Sequence, residues 1–317
     1  MNYMRTALLS LATAVAGFAA DPALLRMIPS NSAFLAGIHA DQIKTSRFGQ
    51  FLLNQLKSEE ANMNKFIDAT GFDPRRDLTE LIVASSDASG KGKSVVLARG
   101  RFDTNRINAF ASTGGARLTT YNGVQVMSGG TEGGKSGWLA VLDNVTAVAG
   151  DQDAVRLAID RYKGAPGALD AATVARINDL STRYDAWMIS NGVARIADDI
   201  QNPQVGGMMN NNLFQSMQSV MGGVRFGANV ELSAEATMRS EKDATAMVDV
   251  IRFLAGMLQL NTQNDKRAAE LATLLEKMQL SSSGTQFKLS LTIPEDTLEG
   301  IVKPAAASGA KAKVTVI

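Results

Sequence analysis

The chain has 317 residues, 45% of them hydrophobic and 20% charged, which is ample for a large core and excludes disorder along its whole length. It has 32 basic and 31 acidic residues, so it lacks the cationic surplus needed to neutralise nucleic-acid phosphates. With no cysteine and a single histidine, disulfides, thiol nucleophiles, iron–sulfur clusters, zinc–cysteine sites and sites built on two imidazoles are all ruled out.

Met1 to Arg5 is a short positive segment, Thr6 to Ala20 is an uncharged apolar run, and Asp21-Pro22 ends it. This is the layout of a secretory signal peptide. Gly17 and Ala19 occupy the small-residue positions before a cleavage point, so cleavage is expected between Ala19 and Ala20. Removal of residues 1–19 takes away Arg5 alone and leaves 31 basic and 31 acidic residues. The apolar run is shorter than the roughly 20 residues that span a bilayer, and the mature chain has no later candidate span. The expected location is periplasmic or extracellular.

Ser32 to Ala40 reads as a buried strand. Phe48, Phe51, Leu52 and Leu56 recur at helical spacing, and Met63, Phe66 and Ile67 resume it as far as Gly71. Leu81–Ser85 and Ser94–Arg99 read as strands, with Asp103 the cap of a helix through Phe110. Tyr121-Asn122-Gly123 predicts a tight hairpin, because Asn-Gly readily takes positive φ. Asp143-Asn144 lies at a second hairpin, followed by a helix from near Asp151 to Gly164.

The same programme then recurs. A strand is expected at Ala186–Ser190, helices at Val193–Ile200 and Asn212–Met221, paired strands within Val224–Arg239, and a long helical pair at about 241–259 and 265–278. A strand at Gln286–Ile293 comes last. The expected fold class is therefore α+β, as two related halves produced by internal duplication, each a mainly antiparallel sheet covered by helices. Residues 20–164 form the first unit, 165–303 the second with its inserted helical pair, and 304–317 a mobile tail.

Three patterns invite chemistry. Gly129 to Ser136 fits the phosphate-loop pattern G-x-x-x-x-G-K-[ST], but the run from Gly137 through Trp138 to Leu142 reads as a strand where a phosphate loop needs a helix. Lys135 and Ser136 are therefore expected on a solvent loop that binds no nucleotide. His39, on the face of Leu35 and Gly37, is expected to be structural, and no serine sits in a G-x-S-x-G elbow. Gly71 to Leu78 packs Asp73, Arg75, Arg76 and Asp77 into a turn and reads as a salt-bridged connection, as does the group Arg99, Arg101 and Asp103. These residues identify no catalytic group, cofactor or metal.

The segments IPSNSAFLAGIHADQIKTSRFG, TGFDPRRDLTELIVAS, LARGRFD and AVAGDQDAVRLAID resemble uncharacterised exported bacterial proteins known as domains of unknown function. That resemblance implies an exported α+β protein without an assigned activity. The expected function is non-catalytic binding of an unknown protein or apolar ligand. Two alternatives stand beside it: an exported hydrolase using carboxylates near Asp73 or His39, and an envelope structural component held by an uncleaved N-terminal helix. Met208, Met209, Phe214, Met217 and Met221 lie in a methionine-rich stretch. Residues recurring on one face are first read as core packing. The alternative is an apolar ligand or partner surface, because thioethers adapt to varied apolar shapes. Cu(I) held by thioethers is a third reading that nothing else in the sequence supports. Phe214, Met217 and Met221 are expected on one helical face.

Overall fold

The structure, a computed structural model, describes residues 19–55, 60–129, 137–192, 213–260 and 273–299. The signal segment, the glycine loop from residue 130 to 136, the expected helix at Val193–Ile200 and the tail after residue 303 lie outside the described residues.

The chain runs through α1 (Pro22–Met27), β1 (Phe34–His39), α2 (Ala40–Thr45), α3 (Arg47–Gln55), α4 (Glu60–Thr70) and α5 (Pro74–Asp77). The strands β2 (Leu78–Ser85) and β3 (Ser94–Gly100) follow, then α6 (Thr104–Thr113), β4 (Arg117–Tyr121) and β5 (Val124–Ser128). Next come β6 (Gly137–Val141), β7 (Thr146–Asp151), α7 (Gln152–Tyr162) and α8 (Ala171–Arg183). The remainder is β8 (Ala186–Asn191), β9 (Met217–Arg225), β10 (Asn229–Met238), α9 (Glu241–Leu260), β11 (Gln279–Ser283) and β12 (Gln286–Pro294).

Among the described residues, twelve strands join one antiparallel sheet in the order β11-β12-β10-β9-β8-β1-β2-β3-β7-β6-β5-β4. The α+β class is as expected. The helical cover is on both faces of a single sheet, where the sequence suggested a separate sheet for each half. On one face α1, α7 and α8 bury Leu35, Ile82, Leu97, Val148, Trp187 and Ile189. On the other, α6 packs Ile107 with Met127, Val141 and Ala147. At the far end of that same face, α9 packs Met247 and Val248 on Ala236, Met238 and Phe287. Strands apolar at successive positions, such as Ile82-Val83-Ala84, can be buried from both sides, which a two-residue period alone does not reveal.

Local chemistry explains the element ends. Asp103 accepts from the Arg106 N–H at 3.0 Å and caps α6, as expected. Asn122 (φ 46°) and Gly123 (φ 75°) make the tight turn between β4 and β5. Asp21-Pro22, which the sequence offered as a stop, starts a helix instead. The Asp21 carboxylate accepts from the Ala23 N–H at 2.7 Å, and Pro22 sits where a helix needs no amide hydrogen.

The expected helix over Asn212–Met221 is absent from the described part of that range. Phe214–Ser216 is a single 3-10 turn, and β9 begins at Met217. Val220, Gly222 and Gly223 all disfavour a helix interior, and pairing with both β8 and β10 decides for strand. Helix α8 and strand β11 were not anticipated; α8 begins at Asp170, whose carboxylate accepts from the Thr173 N–H at 2.9 Å.

Candidate functional site

The methionine stretch does not form one surface. Phe214 is buried and Met217 half-buried in the cluster beneath α9. An irregularity in the β9–β10 register beside Met238 sets Met217 opposite Met238, on that face of the sheet. Met221 packs on the other side, against the core under α8. Met208 and Met209 lie outside the described residues.

Met221 does border a groove, and two rungs of the sheet build its floor. Ile189, Met221 and Glu235 stand opposite one another on β8, β9 and β10, and the next rung carries Asn191, Ser219, Thr237 and Gln286 across to β12. Arg176 of α8 closes one side, and the enclosed volume is about 290 Å³. Two members are already engaged, since Gln286 Nε2 donates to Thr237 Oγ1 at 3.1 Å. Glu235 faces Lys288 at 3.5 Å, a solvent-side pair of little strength. Among the described residues the side chains of Arg176, Asn191 and Ser219 make no hydrogen bond or ion pair. An apolar floor beside an unpaired guanidinium, an amide and a hydroxyl is the make-up of a small-molecule site. The sequence carried a signal for this face, because Glu231, Ser233, Glu235 and Thr237 alternate along β10 as Gln286, Lys288, Ser290 and Thr292 do along β12.

A larger open cleft of about 1010 Å³ brings together the two charged clusters singled out in the sequence. Asp77 accepts from the Asp73 N–H at 2.9 Å and from Arg76 at 2.6 Å, and pairs with Arg101 at 3.0 Å. The Arg76 hydrogen bond holds its carboxyl down at about 2. Arg75 likewise holds Asp73 below the usual range. Arg106 donates to the backbone carbonyls of Asp68 and Ala69, tying α6 to the end of α4. These charges fasten elements to one another. A general acid needs a carboxyl raised toward neutrality, and the arginines here do the opposite.

His39 lies on the face of Leu35 and Gly37, only 6% exposed, and burial depresses its pKa against opposing pulls from the Ser181 backbone and Asp185. Its Nε2 has no hydrogen-bond partner. The nearby Ser181 hydroxyl donates to the Asn178 carbonyl at 3.2 Å and accepts from the Ala20 N–H at 3.0 Å. It is engaged in packing rather than offered to the imidazole, and no nucleophile–base contact forms there. Burial moves two carboxyls toward neutrality, but both are sealed in the interior at 8% exposure: Asp185, raised by burial and already accepting from the Phe226 N–H at 2.6 Å, and Glu80, pushed up to about 7.

The glycine loop is flanked by neighbouring strands, β5 ending at Ser128 and β6 starting at Gly137, so no helix begins at Gly137 to present amides to a phosphate. Among the described residues no group of three His, Asp or Glu side chains is placed to hold a metal ion. No helix among them is long and apolar enough to cross a membrane.

Neither the family models nor the curated proteins contain a match to this chain. Solved structures do resemble it. The crystal structure of TP0453 in crystal form I gives a TM-score of 0.50 at 11% identity, covering 90% of this chain and 97% of that one. Crystal form IV of TP0453 gives 0.51 at 10% identity, covering 88% and 95%. At such identities the likeness concerns the fold alone.

Proposed function

We propose that this is an exported, non-catalytic binding protein whose groove at Ile189 and Met221 takes a small molecule with an apolar body and an anionic head. The observation that carries this reading is the unpaired Arg176 guanidinium beside that apolar floor. Burying the floor against an apolar body gives affinity, while the guanidinium selects a carboxylate by bidentate hydrogen bonding.

The binding unit is one half of a duplicated chain in this reading. The order β1-β2-β3-β7-β6 in residues 32–163 parallels β8-β9-β10-β12-β11 in residues 185–303, and α6 and α9 occupy corresponding places after β3 and β10. The hairpin partner β4–β5 is then an addition to the first unit, residues 20–164, and α8 opens the second, residues 165–303. Export follows from the N-terminal charge and hydropathy pattern, with cleavage between Ala19 and Ala20; the resemblance to exported proteins of unknown function agrees with it.

Calorimetric titration with octanoate and octanol tests the site. Octanoate should bind more tightly than octanol, and Arg176→Gln should weaken octanoate at least about tenfold, or 1.4 kcal/mol, with octanol little changed. Met221→Trp should fill the groove and abolish both. Absence of binding at millimolar ligand, or binding indifferent to both substitutions, would refute the assignment.

A further inference from the structure

The chain from Ala20 onward is anchored deep in the main core. Ala20 is 1% exposed and belongs to the main core, whereas Ala19 before it is exposed. The Ala20 N–H donates to Ser181 Oγ at 3.0 Å. One residue on, the Asp21 N–H points at both carboxylate oxygens of Glu80, at 3.3 and 3.2 Å. The Asp21 carboxylate is already taken by Arg99 Nε at 2.5 Å, and Arg99 also donates to Thr146 Oγ1 at 2.6 Å. Glu80, on β2, therefore faces the start of the chain as a buried carboxyl; Arg99, opposite it on β3, pulls on its charge but gives its hydrogen bonds to Asp21 and Thr146.

We infer that removal of the residues before Ala20 creates a buried ion pair between the new α-ammonium of Ala20 and the Glu80 carboxylate, so that processing itself locks the N-terminus into the core. The inference rests on cleavage between Ala19 and Ala20. A peptidase adds one water across that bond, leaving a carboxylate on Ala19 and, with its proton, an ammonium on Ala20. That ammonium has three donors. Ser181 Oγ accepts one while its own hydroxyl donates to the Asn178 backbone carbonyl, and Glu80, which already accepts from the next residue's N–H, faces another. A buried charge is tolerated only when paired, and each member here supplies what the other lacks. With the leader still attached, the Ala20 nitrogen is a neutral amide, and Glu80 has the Asp21 N–H as its hydrogen-bond donor and Arg99 as a partial counter-charge. Because Ala20 is buried, the cut must come before the chain folds, as it does during export.

Two forms of the protein test this: one with a free amine at Ala20, released from an N-terminal fusion, and one retaining residues 15–19. Glu80→Gln should lower the melting temperature of the free-amine form by about 3 °C or more beyond its effect on the extended form. An equal effect in both forms would overturn the ion pair. Should Glu80→Gln prevent folding, acetylation of the Ala20 amine on the wild-type chain replaces it: a lowered melting temperature supports the pair, and an unchanged one overturns it. Mass spectrometry of the exported protein judges the cleavage reading separately, since a first residue other than Ala20 defeats that reading whatever the melting experiments show.

Discussion

Gly37 of β1 lies directly across the sheet from Trp187 of β8, and a Cβ on Gly37 would stand 2.4 Å from the indole ring. The indole is 3% exposed and roofs the seam where the two halves of the sheet meet. Glycine is required here for space. Gly37→Ala should destabilise the protein by about 1–3 kcal/mol, the usual cost of overpacking a rigid core. Combining it with Trp187→Leu should cost less than the sum of the two changes, because the smaller side chain vacates the space. Denaturant melts of the four proteins measure this, and strict additivity would count against the steric account.

Asp77 ties β2, α5 and the approach to α6 together through Asp73, Arg76 and Arg101. Its folded-state value of about 2 lies below the ordinary 3.8, so its contribution is present above pH 3.8 and is lost as the pH falls through about 2. Asp77→Asn should therefore cost about 1–3 kcal/mol at pH 7, the penalty for disrupting a buried, charge-assisted network. Near pH 2 the variant and wild type should converge. A constant difference between pH 7 and pH 2 would mean that the charge is not what matters.

Glu80 behaves in the opposite sense wherever residue 19 is retained. Burial pushes its carboxyl from 4.5 up to about 7, so the folded chain holds a proton that the unfolded chain releases. Stability from this group falls as the pH rises from about 4.5 to about 7 and is level beyond. In the extended form, Glu80→Gln should flatten the slope over that window, as read by melting temperature from pH 4.5 to 8. An unaltered slope would show that Glu80 is not its source.

Phe214 and Met221, seven residues apart in the methionine stretch, should separate cleanly. Phe214→Ala empties a packed position under α9 and should cost about 3–5 kcal/mol. Octanoate binding in the groove should survive at a temperature where that variant is folded. Met221→Ala should weaken octanoate binding with a smaller loss of stability, since the thioether is only partly buried. A reversed pattern would move the site to the other face of the sheet.

Much of the fold follows from local sequence. Asn122-Gly123 determines its hairpin because its backbone preferences match the turn, and Asp103 fixes the start of α6 because one carboxylate satisfies an otherwise unpaired amide. Both causes act within four residues, so the sequence displays them. Asp21-Pro22 shows the limit: the same dipeptide suits a chain stop and a helix start, and only the docking of Leu24, Leu25 and Met27 into the core decides for the helix. Met217 and Met221 fit helical spacing equally well, yet pairing with β8 and β10 on both sides makes that segment a strand, and the register irregularity beside Met238 turns the two side chains to opposite faces. The groove depends on contacts far apart in the chain. Alternating polar residues on β10 and β12 mark a face open to water, but the meeting of Met221 with Arg176 and Ile189 is set by where α8 lies across the sheet. That position is fixed by the burial of Ile177 and Leu180 against Trp187, a packing relation no local pattern encodes.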